Sequence, residues 1–354
     1  MKFARMTLLA GAASLATVVS AGTASAGAIA ANPSPITFDS GFGSVTVSGQ
    51  LTGLAFYQSS ATHLFPGDND TDADVDNAMV TVSKTGGTFQ FYLQGGLYSF
   101  PTVGVPYDKS TDNTPFFGAL PVAYGKIQLS DTFSISAGKL PTLIGAEVAF
   151  TPQNINIERG LLWWQEPVVS RGVQLNYASG PLSVAVSWND GYYSNVWNTA
   201  SGLISYAFDG SNTLAFDFSE TPDYGGNAGN QIYDLMYTYS NAPWTFGPYL
   251  QYQTVNHGGD EWGIGVLASY QFNPDWSLNL RGEYEDSSNS SFLFIYGPGS
   301  SAWSITVTPT WQKGIFFARG ELSYAGLSDN LFGYGTSFNK DNQFRALFET
   351  GIVF

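Results

Sequence analysis

The chain has 354 residues, a formal charge of −15 and no Cys. Charged residues make up 12% of it, against roughly 25% in soluble domains, while aromatics reach 16% and Gly numbers 40. So acidic a chain is a poor partner for nucleic acid, and an exported form would draw no stability from disulfides.

The first element is a leader. Lys2 and Arg5 precede an apolar run, which ends in Ala24-Ser25-Ala26 before Gly27. That order is the basic, apolar and small-residue sequence of a secretory signal peptide, expected over residues 1–26 and cleaved. A retained membrane anchor is the competing reading, and the short run rich in Ala, Gly and Ser argues against it. Loss of Lys2 and Arg5 would take the formal charge to −17. Residues 27–43 are expected to form an N-terminal periplasmic segment, and residues 44–354 the body of the fold.

From Val45 onward, apolar and polar residues alternate with period two in sixteen stretches. They run 45–57, 77–84, 88–98, 121–130, 132–139, 171–178, 182–189, 202–208 and 212–219, then 231–239, 244–253, 261–272, 275–285, 302–312, 315–324 and 343–354. Tight connections rich in Gly, Asn, Asp and Pro (85–87, 130–131, 179–181, 209–211, 240–243, 273–275, 313–314) alternate with longer ones. The longer ones are roughly 59–74, 98–119, 141–168, 191–201, 220–230, 255–260, 286–300 and 325–342.

Each strand has one greasy side. Trp276, Leu278, Leu280 and Tyr284 share a parity, and Ser277, Asn279, Arg281, Glu283 and Glu285 share the other. In the last strand Phe344, Ala346, Phe348 and Ile352 oppose Gln343, Arg345 and Glu349. No second layer is encoded to cover sixteen such faces, so lipid is the apolar medium left. Aromatics gather at both strand ends, Trp244, Phe272 and Trp276 near short turns, Tyr57, Trp188, Trp262 and Trp303 near long loops. The expectation is an all-β, transmembrane antiparallel up-and-down barrel of about sixteen strands, with short periplasmic turns and long extracellular loops. A closed barrel suits a bilayer because no water is present there to satisfy an open sheet edge. A secreted soluble β-protein is the weaker alternative.

The stretch from Gly138 to Gly191 resembles the OmpL-like β-barrel porin family. The matching positions are Gly138, Lys139, Thr142, Gly145, Glu147, Asn154, Asn156, Arg159, Gly172, Tyr177 and Asn189. Family members often have Ser before that Arg and His near Gly172, where this chain has Glu158 and Arg171. The resemblance implies an outer-membrane channel of Gram-negative bacteria, set in lipid and lipopolysaccharide. It also implies recognition of the terminal Phe354 by the barrel-assembly machinery; it allows a monomer, while general porins, which are trimers, make a homotrimer the other option.

Inward parity carries Ser, Thr, Gln, Asn and charge, as a wet lumen requires, and sixteen strands leave an aqueous channel. Passive diffusion of small polar solutes and ions is therefore expected, a plugged structural or adhesive barrel being the alternative. The third long loop, 141–168, is read as folding into the lumen with Glu147, Glu158, Arg159, Glu166, Trp163 and Trp164; packing outside the barrel is the simpler option. Inward strand positions add Asp217, Asp234, Glu283, Glu285, Glu321 and Glu349 against Lys126, Arg281, Arg319 and Arg345. With the loop included, carboxylates outnumber bases, which predicts modest cation preference.

Asp68, Asp70, Asp72, Asp74 and Asp76 alternate in the first long loop. They are a candidate Ca2+ site weighed against a solvated acidic loop. An EF-hand is excluded, because Ala73 stands where the turn needs Gly and Met79 where a Glu should close the loop. No enzyme is expected. His63 and His257 fall in predicted loops without a nucleophile or acid at recognisable spacing, and phosphate-loop, zinc and Rossmann patterns are absent.

Overall fold

A computed structural model of the chain describes residues 28–62, 68–224, 227–256, 258–288, 296–328 and 333–354. The leader (1–26), His63 and His257 lie outside the described residues.

The strands are β1 (Ile36–Ser40), β2 (Gly43–Gln58), β3 (Thr71–Lys84), β4 (Phe89–Tyr98), β5 (Val122–Gln128), β6 (Phe133–Pro141) and β7 (Val169–Ser179). Next come β8 (Leu182–Asn189), β9 (Thr199–Ala207), β10 (Asn212–Glu220) and a two-residue pair, β11 (Asp223–Tyr224) with β12 (Asn227–Ala228). β13 (Asn230–Asn241), β14 (Trp244–Val255), β15 (Gly259–Asn273), β16 (Trp276–Ser287), β17 (Ser301–Lys313), β18 (Phe316–Leu327) and β19 (Asn342–Val353) complete the chain. A helix, α1 (Ser110–Phe117), lies in the second long connection.

Every strand from β2 to β10 and from β13 to β19 pairs antiparallel with its neighbour, and β19 pairs with β2 from Val353↔Gln50 to Arg345↔Gln58. The result is the expected closed barrel of sixteen strands. The alternation places Leu250, Ile264, Leu280, Ile305, Leu322 and Phe348 outward and exposed, while Gln251, Asn279, Arg281, Thr306, Glu321 and Glu349 are buried inside. Outward Trp244, Phe272, Trp276 and Phe316 ring the short-turn end, and Tyr57, Trp188, Trp262 and Trp303 the long-loop end. An apolar belt between two aromatic rings matches the bilayer's hydrocarbon and its two interfaces. No described helix is long and apolar enough to cross a membrane; strands do the crossing.

Two expectations of detail change, and one strand is added. β3 begins at Thr71, so Asp72, Asp74 and Asp76 belong to a strand rather than to a loop. Pairing Tyr57↔Thr71 and Leu54↔Asp74 carries the ladder that far, with a register shift between Thr52 and Gly53. The connection expected at 255–260 spans only residues 256–258, because β14 and β15 stay paired to Val255↔Gly259. Finally, β1 pairs with the start of β2, from Ile36↔Val47 to Ser40↔Gly43.

The seam depends on a glycine. Phe354 exchanges backbone hydrogen bonds with Gly49 at 2.8 and 2.9 Å. A Cβ on Gly49 would fall 2.5 Å from the Phe354 ring and 2.7 Å from the Met79 carbonyl oxygen. Gly49→Val should therefore destabilise closure by about 1–3 kcal/mol. Gel mobility of heated and unheated protein reads this, and an unchanged unfolding temperature would contradict it.

Candidate pore interior

From Pro141 the chain turns into the barrel and returns at Val169. The segment 142–168 crosses the lumen and is held on several sides. Toward β16–β19 the contacts are polar. Glu321 accepts from the Ile157 N–H at 2.5 Å, the Glu158 N–H at 2.9 Å and the Thr308 hydroxyl at 2.6 Å. Glu283 accepts from the Leu161 N–H at 3.0 Å and the Ser304 hydroxyl at 2.8 Å. A loop whose amides lack a ladder is thus satisfied by wall carboxylates, as buried backbone groups require.

The bases of the wall serve the same loop. Arg281 donates through Nη1 to Glu147 at 2.8 Å and to the Glu158 carbonyl at 2.5 Å, and its Nε lies 3.2 Å from Glu283. Arg319 pairs with Glu349 at 2.6 Å and donates to the carbonyls of Thr151 and Asn154. Arg345 pairs with Glu158 at 2.6 Å and reaches the Thr102 and Val105 carbonyls. The fourth guanidinium, Arg159, belongs to the loop itself. It donates to the Ala149 carbonyl and the Thr151 hydroxyl, and lies 5.6 Å from the Trp163 ring and 5.7 Å from that of Phe100. Burial lowers the Arg159 pKa to about 10, opposed by the charge of Asp76.

The opposite side adds apolar contacts. Leu143, Ile144 and Leu162 pack on Leu203, Ala215, Ile232, Met236 and Tyr249 of the inner wall. Phe150 packs against Met79, Tyr98 and Val122. These inward apolar side chains escaped the sequence reading, which assigned inward parity to polar residues.

Two glycines let the loop backbone press on carboxylates. A Cβ at Gly145, where φ is +86°, would overlap the Glu166 carboxylate at 1.9 Å, and one at Gly160 would meet Glu283 Oε1 at 1.9 Å. The Gly145 N–H donates to Asp217 at 3.1 Å. Glu166 accepts from Gln251 at 3.1 Å, and Gln165 donates to Glu285 at 2.8 Å.

Charge is unevenly placed around the lumen. The β16–β19 side carries Arg281, Arg319 and Arg345, each in an ion pair. On the side of β10, β13, β15 and the first face of β16, Asp217, Asp234, Glu261 and Glu285 are buried with Glu166, and none forms an ion pair among the described residues. At least one oxygen of each has no hydrogen-bond partner among the described residues. Burial, then the charge of Asp234, raises the Glu166 carboxyl well above the ordinary range; burial also raises Glu147, opposed by Arg281. Lys126 is buried on β5, and no ion pair to it appears among the described residues. Glu261 was missed in the sequence because its inward companions Gly263, Gly265 and Leu267 do not read as a lumen face.

The Asp series does not assemble a metal site. Asp68 accepts from Gln58 and Thr62, Asp72 pairs with Lys109 at 3.1 Å, Asp74 accepts from the Ser110 N–H, and Asp76 accepts from Ser99 and Asn77. The carboxylates turn to separate protein partners, and among the described residues no three His, Cys, Asp or Glu side chains group to hold a metal.

A closed sixteen-stranded barrel with an apolar outer belt and a charged, loop-crossed interior defines an outer-membrane porin. Residues 44–354 match the family described as "Putative beta-barrel porin-2, OmpL-like", and the chain belongs to that family. No curated protein matches it. Among solved structures it is similar to an anion-selective porin from Comamonas acidovorans, with a TM-score of 0.62 and 12% identity over 88% of this chain and 99% of that one. The outer-membrane channel DcaP of Acinetobacter baumannii gives 0.61 and 12% over 89% and 99%, and OmpT of Vibrio cholerae 0.59 and 12% over 90% and 100%. At such identities the likeness is one of fold. The protein is a channel of the outer membrane.

Proposed function

We propose that the barrel passes small polar solutes and ions by passive diffusion, with modest preference for cations, and that loop 142–168 forms its constriction. Glu147, Glu158, Arg159, Glu166, Lys126, Arg281, Glu283, Arg319, Glu321, Arg345 and Glu349 are the residues assigned to that constriction. The supporting observation is the charge asymmetry of the interior: the arginines of β16–β18 and β19 are neutralised in pairs, whereas Asp217, Asp234, Glu166, Glu261 and Glu285 are not. Unpaired carboxylates enrich cations in a low-dielectric passage. The reading extends to export by a cleaved leader in a Gram-negative bacterium, insertion through recognition of Phe354, residence among lipopolysaccharide and assembly as a homotrimer.

Reversal potentials in a KCl gradient test the selectivity. The expected result is a small cation preference that weakens as salt shortens the Debye length. It should grow as pH rises, because carboxyls held up by burial, such as Glu166, ionise only at higher pH. Asp217→Asn with Asp234→Asn should reduce it. Anion preference at low salt would refute the assignment.

A second reading, a barrel kept plugged by its own loop, is favoured by the near-complete burial of the inner wall. Planar-bilayer recording separates the two, since a plugged barrel gives no conductance steps.

A further inference from the structure

The interior is stacked in a definite order along β18. From the long-loop end, Ser323 donates to Glu158, Glu321 holds the Ile157 and Glu158 amides, and Arg319 holds the Thr151 and Asn154 carbonyls. One step further toward the short turns stands Phe317, buried and facing inward. Ile29 covers it, packed with Phe317 and with Val353 of β19.

Ile29 is fixed from three directions. Its N–H donates to the Pro152 carbonyl at 3.1 Å, directly beneath the lowest turn of the loop. The next residue, Ala30, is gripped by the inward side chain of Gln312: its N–H donates to Gln312 Oε1 at 2.7 Å, and its carbonyl accepts from Gln312 Nε2 at 2.8 Å. The amide thus pairs with the Ala30 backbone as a strand neighbour would. Only after this does the chain run out to β1, whose Ile36 and Phe38 are exposed.

We propose that residues 28–30 form a stopper seated in the periplasmic mouth. The stopper narrows that mouth and braces the underside of loop 142–168, and its withdrawal widens the channel. The chain supplies the two properties such a device needs. An apolar tip, Ile29, finds an apolar seat at Phe317 and Val353, with the polar residues Thr310 and Gln312 on the neighbouring strand. Among the described residues the attachment is small, one buried side chain and three hydrogen bonds, each weak once exchange with water is counted, so withdrawal is within thermal reach.

The absence of Cys makes the test direct. Ile29→Cys and, as an exposed control at the β1–β2 turn, Phe42→Cys are reacted with a charged thiol reagent in the folded, leader-free protein. Ile29→Asp and Gln312→Ala are recorded as single channels, and gel mobility before and after heating confirms that each has folded. The proposal expects Ile29→Cys to react at least about tenfold more slowly than Phe42→Cys, since an opening of 1.4 kcal/mol is a factor of ten. It also expects larger conductance in both Ile29→Asp and Gln312→Ala. Equal labelling rates would overturn it. So would protection of Ile29→Cys with conductance unchanged in both variants, because the segment would then be seated without narrowing the mouth. The labelling readout is independent of ion flow, so its failure is distinguishable from failure of the channel reading.

Discussion

Excising residues 145–166 and joining the ends through a short Gly-Ser link should raise single-channel conductance several-fold. The barrel's own ladder does not need the loop, because all sixteen strands pair through backbone bonds that the excision leaves intact. In the proposed channel the loop is what narrows the lumen, with Glu147, Ile157, Glu158, Leu161 and Leu162 bonded or packed against the wall. Removing it strands Glu283, Glu321 and Arg345, but water entering the widened lumen can take the place of their loop partners. The excised barrel should still fold, unfold at a lower temperature and conduct more. Unchanged conductance in a folded, heat-modifiable protein would show that the loop is not the constriction.

The second large effect concerns Arg281. It is fully buried and neutralises Glu147 from the loop while lying beside Glu283 on its own strand. Arg281→Ala would leave two carboxylates buried without their cation, and removing one member of such a pair costs about 3–5 kcal/mol. It would also free the Glu158 carbonyl and the Thr306 hydroxyl. Arg281→Lys should recover only part of the loss, because a point ammonium cannot span the carboxylate, carbonyl and hydroxyl that the planar fork reaches together. Guanidinium-induced unfolding of the protein in detergent measures both variants. A midpoint unchanged in Arg281→Ala would show that these carboxylates are hydrated or protonated in the folded state.

The barrel was legible because its strands obey one rule. In β16 and β17 the side facing lipid and the side facing the lumen differ in residue type at nearly every step, so period two alone sets strand, face and register. Where the rule fails, the sequence misleads. Asp72, Asp74 and Asp76 look like loop because Asp is disfavoured in strands, yet each finds a partner in the second long connection or beside it: Lys109, Ser110 and Ser99. Charged residues of loop 142–168 were visible as candidates, since a long connection with buried-type Trp and ionisable groups invites a functional reading. Their partners were not, because Glu158 meets Arg345 across 187 residues of sequence and no local pattern records that distance. The apolar seats of Leu162 on Tyr249 and of Ile29 on Phe317 were hidden for a related reason: a single inward apolar residue in a polar row resembles an irregularity until its cover is seen.

Loop 142–168 leaves the sheet between the sixth and seventh strands, yet its amides are received 163 and 164 residues later by Glu321 and 122 residues later by Glu283. Contacts so distant in sequence form late, after local hairpins, because the intervening chain must first be ordered. The growing sheet therefore passes through a stage in which the segment has no wall to receive it and its buried-type carboxylates and arginines are still hydrated. By the same measure the β2–β19 seam, where Val353 pairs with Gln50, joins partners still more distant in sequence and should close later. In that order the segment meets its wall before the ring is complete, and the barrel should close around an interior already filled.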